Sequence, residues 1–144
     1  MAGVVRASAA GHVVTVRRLY AIAEQALAMQ TEADAAIRAC GIVGTVPNDA
    51  AVRLGVMLRR YSRLHYDAES VEIALDSELA DMRRDLLELL SYHLHMLRDA
   101  GDLVFSGRDV PRNRRFRLEL AEGLGTRADD LTRLRERLFW ELCG

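Results

Sequence analysis

Between about Val13 and Cys40 the apolar positions Val16, Leu19, Tyr20, Ala23, Leu27 and Ile37 recur at three- and four-residue steps, with alanine filling much of the rest. That spacing predicts one long amphipathic helix over 13–41. Gly41, Gly44 and Pro47 break it. Asn48 or Asp49 can cap a second helix, which runs through Val52, Leu54, Met57, Leu58 and Tyr61 and ends near His65. Val71, Ile73 and Leu75 then stand at alternating positions, the pattern of a brief strand over 70–75. Asp76 or Ser77 offers the next N-cap. From Glu78 to Ala100 the period is helical, with Leu86, Leu90, Leu94 and Leu97 on one stripe and no residue that announces a turn.

Gly101 is expected to stop this helix, after which Leu103, Val104 and Phe105 read as a strand. A second strand follows over 115–120, where Phe116, Leu118 and Leu120 alternate with Arg115, Arg117 and Glu119. The two predict a hairpin whose tip lies in 107–113. A last helix over 127–143 carries Leu131, Leu134, Leu138 and Leu142 on one face, with Phe139 and Trp140 beside it, and that face is a candidate subunit seam.

Length and composition narrow this picture. The chain has 144 residues, room for one domain over 1–144, and half its residues are apolar with 28% charged, the balance of a globular protein. No signal-like or membrane-spanning run stands at the start, and Cys40 and Cys143 are far apart, so reduced thiols in a cytoplasm are expected. All 20 basic residues are arginine, which a G+C-rich coding bias explains as well as a need for forked hydrogen bonding. Net charge is -1, so any affinity for nucleic acid has to come from a local patch. One exists between Ser106 and Arg117, where Arg108, Arg112, Arg114, Arg115 and Arg117 face the single acid Asp109.

The stretch Ser91-Tyr92-His93-Leu94-His95-Met96-Leu97-Arg98-Asp99-Ala100-Gly101, followed after Asp102 by Leu103-Val104, resembles the recognition-helix segment of the ArsR-like family of bacterial regulators. Upstream, Glu78-Leu79-Ala80 is similar to the opening of the first helix of that family's helix-turn-helix. Downstream, Arg108-Asp109 and Arg112-Asn113-Arg114-Arg115-Phe116-Arg117-Leu118 are similar to the wing of MarR-like and PadR-like regulators. The resemblance implies a mainly α fold with a small β-hairpin: a winged helix-turn-helix over 49–120, with additional N- and C-terminal helices that hold a homodimer. It implies double-stranded DNA as the partner, Arg84, Glu88, Ser91, Tyr92, His93 and His95 near a major groove, and Arg108, Arg112, Arg114, Arg115 and Arg117 on the phosphates. Guanidinium groups on a hairpin tip suit that role, because neutralised phosphates release counterions.

Three other readings stand beside it. The position where the family has small polar residues carries Leu86, Leu87 and Glu88, and an apolar face there would dock a protein instead of bases. Arg60-Tyr61-Ser62-Arg63-Leu64-His65 has the Arg-x4-His spacing of the HEPN class of helical ribonucleases, in which one residue steadies a phosphate and the other moves a proton. Metal ligation is disfavoured, since His93 and His95 are two apart and leave a helix on different sides. The expectation is therefore a dimeric DNA-binding regulator without catalytic residues, cofactor, metal or membrane attachment, with an effector that the sequence does not name.

Overall fold

A computed structural model describes residues 2–41, 49–73, 77–105 and 113–144, with side chains from 11 onward and without that of Phe105. Among the described residues there is no strand; five helices follow one another: α1 (Ala2–Gly41), α2 (Ala50–Glu69), α3 (Glu78–Phe105), α4 (Arg114–Ala121) and α5 (Thr126–Cys143). Among the described residues no helix is long and apolar enough to cross a membrane.

Side-chain ladders give the topology. On α1, His12, Tyr20, Glu24, Gln30 and Asp34 meet Glu141, Phe139, Arg135, Ala128 and Leu124, so α5 runs antiparallel to α1. Tyr61 of α2 reaches Ala26 while Val71, just past the end of α2, lies beside Gly11 and Val14, which makes α2 antiparallel as well. Leu79 starts α3 near Gly11, and His93 meets Gln30, so α3 runs parallel to α1. The result is an up-down-up-down bundle of α1, α2, α3 and α5, with the short α4 laid across the ends of α1 and α3. Its core is the inward stripe of each helix: Leu19, Ile37, Met57, Tyr61, Leu86, Leu90, Leu97, Leu131 and Leu138 are all fully buried.

The winged helix-turn-helix is overturned at three places. First, α3 is continuous over 28 residues, with no turn at 82–87 and no stop at Gly101. The Leu86, Leu90, Leu97 stripe simply extends one more turn through Ala100 and Leu103, which are buried, and Val104, which packs on the core. Burying those side chains at roughly 1.5–3 kcal/mol each outweighs the roughly 1 kcal/mol that a mid-helix glycine costs. Second, the Arg115–Leu120 segment is helix, not strand. Phe116 and Leu120, four apart, turn inward while Leu118 is 58% exposed, so the sequence alternation is an accident of helical phase. Third, residues 70–73 form a turn and coil, with Arg83 of α3 donating to the Val71 carbonyl; 74–76 lie outside the described residues, as do the breakers at 44 and 47 and all of the expected hairpin tip at 107–113 except Asn113.

Capping follows the sequence more closely. Ser77 is the cap of α3, its Oγ accepting from the Ala80 N–H at 3.1 Å. Asp49 starts α2 without a side-chain cap and instead pairs with Arg53 at 2.8 Å. The turn into α5 needs glycine at Gly123, φ 67°, where an added Cβ would press on the Asp34 and Arg38 side chains. Asp34 is committed there: it accepts from the Leu124 N–H at 2.8 Å and from Arg38 Nε at 2.7 Å.

Gly101 offers a test with opposite signs for the two folds. In the continuous helix a Cβ there meets nothing within 4 Å, so Gly101→Ala should stabilise by about 0.5–1 kcal/mol in urea unfolding. A helix-ending glycine with positive φ would instead lose about 1–2 kcal/mol.

Candidate functional site

α3 is enclosed by α1, α2 and α5, and that placement scatters the residues expected to read DNA. Ser91 faces α2, where its Oγ lies 3.1 Å from His65 Nε2. Tyr92 faces α5, donating its hydroxyl to the Leu124 carbonyl at 3.3 Å, with Arg127 5.7 Å over its ring. His93 is 0% exposed. His95 lies on the surface 3.0 Å from Asp99. Arg84 and Glu88 are exposed on the outer edge of α3, where Asp81 pairs with Arg84 at 3.2 Å and Asp85 with Arg137 at 3.3 Å, so that edge carries matched charges instead of a basic patch.

The arginines of the expected wing fare differently. Arg108 and Arg112 lie outside the described residues. Arg114 and Arg115 are exposed on α4, and Arg117 is half-buried against the core. Helical winding brings Glu119 3.7 Å from Arg115, a pairing that an extended strand, at about 3.3 Å per residue, would have pulled apart. With Arg115 94% and Glu119 63% exposed this pair is weak.

The buried histidine belongs to a polar layer across the middle of the bundle. His93 Nδ1 is 2.7 Å from the Leu89 carbonyl, which can only accept, so Nδ1 carries the proton. Nε2 is then the acceptor for the Gln30 amide at 3.0 Å, and the same amide nitrogen sends its second hydrogen toward the Ala128 carbonyl at 3.4 Å. The Tyr61 ring lies 5.2 Å from the imidazole, and its hydroxyl donates to the Ala26 carbonyl at 2.8 Å. Burial holds His93 below the ordinary histidine value of 6.5, against smaller upward pulls from the Leu89 bond and the Asp34 charge, and it pushes the Tyr61 hydroxyl well above its usual range. Both ring nitrogens of His93 and the amide nitrogen of Gln30 are hydrogen-bonded. The layer ties α1, α2, α3 and α5 in one register, and its place in the core leaves it no access to a ligand.

Arg60 and His65, the pair with ribonuclease-like spacing, leave α2 on opposite flanks. Arg60 reaches toward α1, and His65 lies between Ser91 of α3 and Glu69, whose carboxylate is 3.1 Å from Nδ1. Within one chain they do not converge on a common point. Among the described residues, no group of three or more His, Cys, Asp or Glu side chains is placed to hold a metal.

Two surface features stand out instead. Along the α1/α5 seam, Tyr20 of α1 lies beside Phe139 of α5, their rings 6.2 Å apart, and Phe139 meets Trp140 at 5.9 Å in an edge-on arrangement; Val13, two turns before Tyr20, is on the same face of α1. Trp140 is 70% exposed, and Val13 and Phe139 are also open to solvent. Of the leucines expected to form the subunit seam, Leu131, Leu134 and Leu138 are buried in the chain's own core and Leu142 is partly buried against it, so the seam candidate moves to the aromatics beside them. Between α1 and α2 lies a trough of about 510 Å³ with Ala28, Met29 and Leu64 along its floor and Gln25, Arg59, Arg60 and Arg63 on its rim.

Sequence reasoning named Phe139 and Trp140 and passed over Gln30, Arg59 and Arg63. The signal for the last two was present as Arg59-Arg60 followed at helical spacing by Arg63, but which helix would flank them is tertiary information. Comparisons of the chain with protein-family models, with curated proteins and with solved structures return no match.

Proposed function

We propose that the chain is a helical interaction module that works as a homodimer, joined along the ridge of Val13, Tyr20, Phe139 and Trp140. The observation that carries this reading is the open pair of large aromatic rings, Phe139 and Trp140, packed edge to face beside Tyr20, with Val13 exposed further along α1. Isolated apolar residues are ordinary on a protein surface, but a contiguous aromatic patch marks a partner site, and Trp and Tyr are the residues that most often dominate interface energies. The ridge lies on α1 and α5, the two helices expected from sequence to make the subunit contact. Repeated about a two-fold axis, it would set Trp140 of one copy against the seam of the other, an isologous contact that closes on itself.

Sedimentation equilibrium tests this directly. Wild-type protein should be dimeric at micromolar concentration, and Trp140→Glu with Val13→Glu should weaken the dimer about 100-fold or more while leaving the helical circular dichroism intact. Both side chains are exposed, so the fold does not depend on them. A wild-type protein that stays monomeric to about 100 μM, or a variant that dimerises as well as wild type, would remove the reading.

A further inference from the structure

The trough between α1 and α2 sets an apolar floor beside a basic rim. Its floor is apolar, made by Ala28, Met29 and Leu64, and its rim carries three guanidinium groups with no carboxylate among the lining residues. Elsewhere on the bundle, Arg38, Arg53, Arg84, Arg115, Arg133, Arg135 and Arg137 each have an acid within ion-pair distance, while Arg17, Arg18, Arg98 and Arg114 stand singly without an ion pair among the described residues. On this rim Arg63 pairs with Asp67 at 3.3 Å, whereas Arg59 and Arg60 make no ion pair among the described residues.

We propose that the α1/α2 trough binds an acidic amphipathic helix of a partner protein, whose apolar stripe packs on Met29 and Leu64 and whose flanking carboxylates pair with Arg59, Arg60 and Arg63. Shape decides between this and the other anionic ligands. Two antiparallel helices leave a long furrow between their ridges, into which the side-chain ridge of a third helix fits. The furrow is open to solvent on its outer side, so an acyl chain laid in it would keep much of its surface wet. Duplex DNA would meet the guanidinium groups but leave the apolar floor uncovered, since phosphates offer nothing to pack on it. Arginine is also suited to the helix reading because its planar fork accepts a carboxylate in a two-point contact.

This inference rests on the interaction-module reading but not on the dimer ridge, because α2 and α5 lie on different sides of α1. The test uses fluorescence anisotropy with a labelled synthetic helical peptide bearing leucine at i, i+3, i+4 and i+7 and glutamate beside that stripe, and a second peptide with lysine for each glutamate. The glutamate peptide should saturate the full-length protein in the micromolar range and bind at least about tenfold tighter than the lysine peptide. The triple variant Arg59→Glu, Arg60→Glu, Arg63→Glu should invert that preference, which a merely misfolded protein would not do. Raising salt from about 0.05 to 0.5 M should weaken the glutamate peptide severalfold. Trp140→Glu should bind it as wild type does.

Each of the following outcomes would overturn the proposal. Neither peptide saturates up to about 1 mM; both bind equally; the triple variant leaves the preference unchanged; or random duplex DNA or oleate binds more tightly than the glutamate peptide and loses its binding in the triple variant. Self-association abolished by the arginine reversal but kept in Trp140→Glu would assign the trough to a second copy of the chain, sinking the partner-helix proposal and the ridge together. Peptide binding by a strictly monomeric wild type would sink the ridge alone.

Discussion

Gly41→Ala is expected to cost about 3 kcal/mol of stability, one of the two largest losses among single substitutions in this fold outside the leucine core. At the end of α1 the helix α4 crosses so closely that a Cβ on Gly41 would lie 2.6 Å from the Ala121 Cα and 2.8 Å from the Arg117 carbonyl oxygen, and closer still to the Ala121 nitrogen. These are backbone atoms, which cannot swing aside as the end of a side chain can. Either α4 lifts off, losing the burial of Leu120 and Gly123, or the last turn of α1 unwinds. Urea unfolding followed by circular dichroism checks the prediction, and Gly101→Ala is the matched control, expected to shift the midpoint the other way. A Gly41→Ala protein as stable as wild type would mean that α4 does not dock on α1.

The second large effect concerns the polar layer. His93→Leu leaves the Gln30 amide with only the long bond to the Ala128 carbonyl, and Gln30→Leu leaves the buried His93 Nε2 without its donor, so each single substitution should cost about 2 kcal/mol. The double substitution removes both needs together and should cost clearly less than the sum, which a double-mutant cycle measures. Acid should act on the same layer. Burial depresses the His93 value in the fold, whereas the unfolded chain takes up a proton near 6.5, so below that pH the unfolded state binds more protons. The stability due to neutral His93 is therefore fully present above pH 6.5 and is lost as pH falls, by at most about 1.4 kcal/mol per pH unit. The three other histidines, His12, His65 and His95, are surface groups beside Glu141, Glu69 and Asp99 and stay in place when His93 is replaced. Melting temperatures of wild type and His93→Leu between pH 7 and 5 isolate the effect: the wild type should fall more steeply. Parallel profiles would show that His93 is not buried as a neutral ring.

How far the pattern of residues carried can be judged from particular elements. Helical period over 13–41, the second helix, and the last helix over 127–143 were all legible because each has a long apolar stripe at 3.6-residue spacing, and only the bounds moved. α3 was half legible. Its stripe runs without interruption past Gly101, but a single glycine followed by Leu-Val-Phe also has the look of a strand, and local sequence does not say whether Leu103 finds a core to enter. The Arg115–Leu120 segment was misread for a related reason. Six residues that alternate apolar and charged satisfy a strand exactly as well as a helix can satisfy two of the three apolar positions, and the choice falls to the surface of α1 that Phe116 and Leu120 cover.

The candidate site was the least legible part. Tyr92, His93 and His95 are adjacent in sequence and resemble a reading head, yet helical winding sends them to α5, to the core and to solvent. Arg59, Arg60 and Arg63 look like ordinary surface charge until α1 is laid beside them with Met29 between.

By itself, the sequence determined that this protein is a set of amphipathic helices with charged outer faces, because the 3.6-residue period of apolar positions is a local property that any partner surface has to accept. Only the tertiary structure decided that α3 is one helix enclosed by three others, that His93 is a core residue, and where the exposed aromatic and arginine surfaces lie. Those outcomes depend on which stripes meet, and the meeting is settled by packing energy between segments distant in the chain, to which no short stretch of residues holds the key.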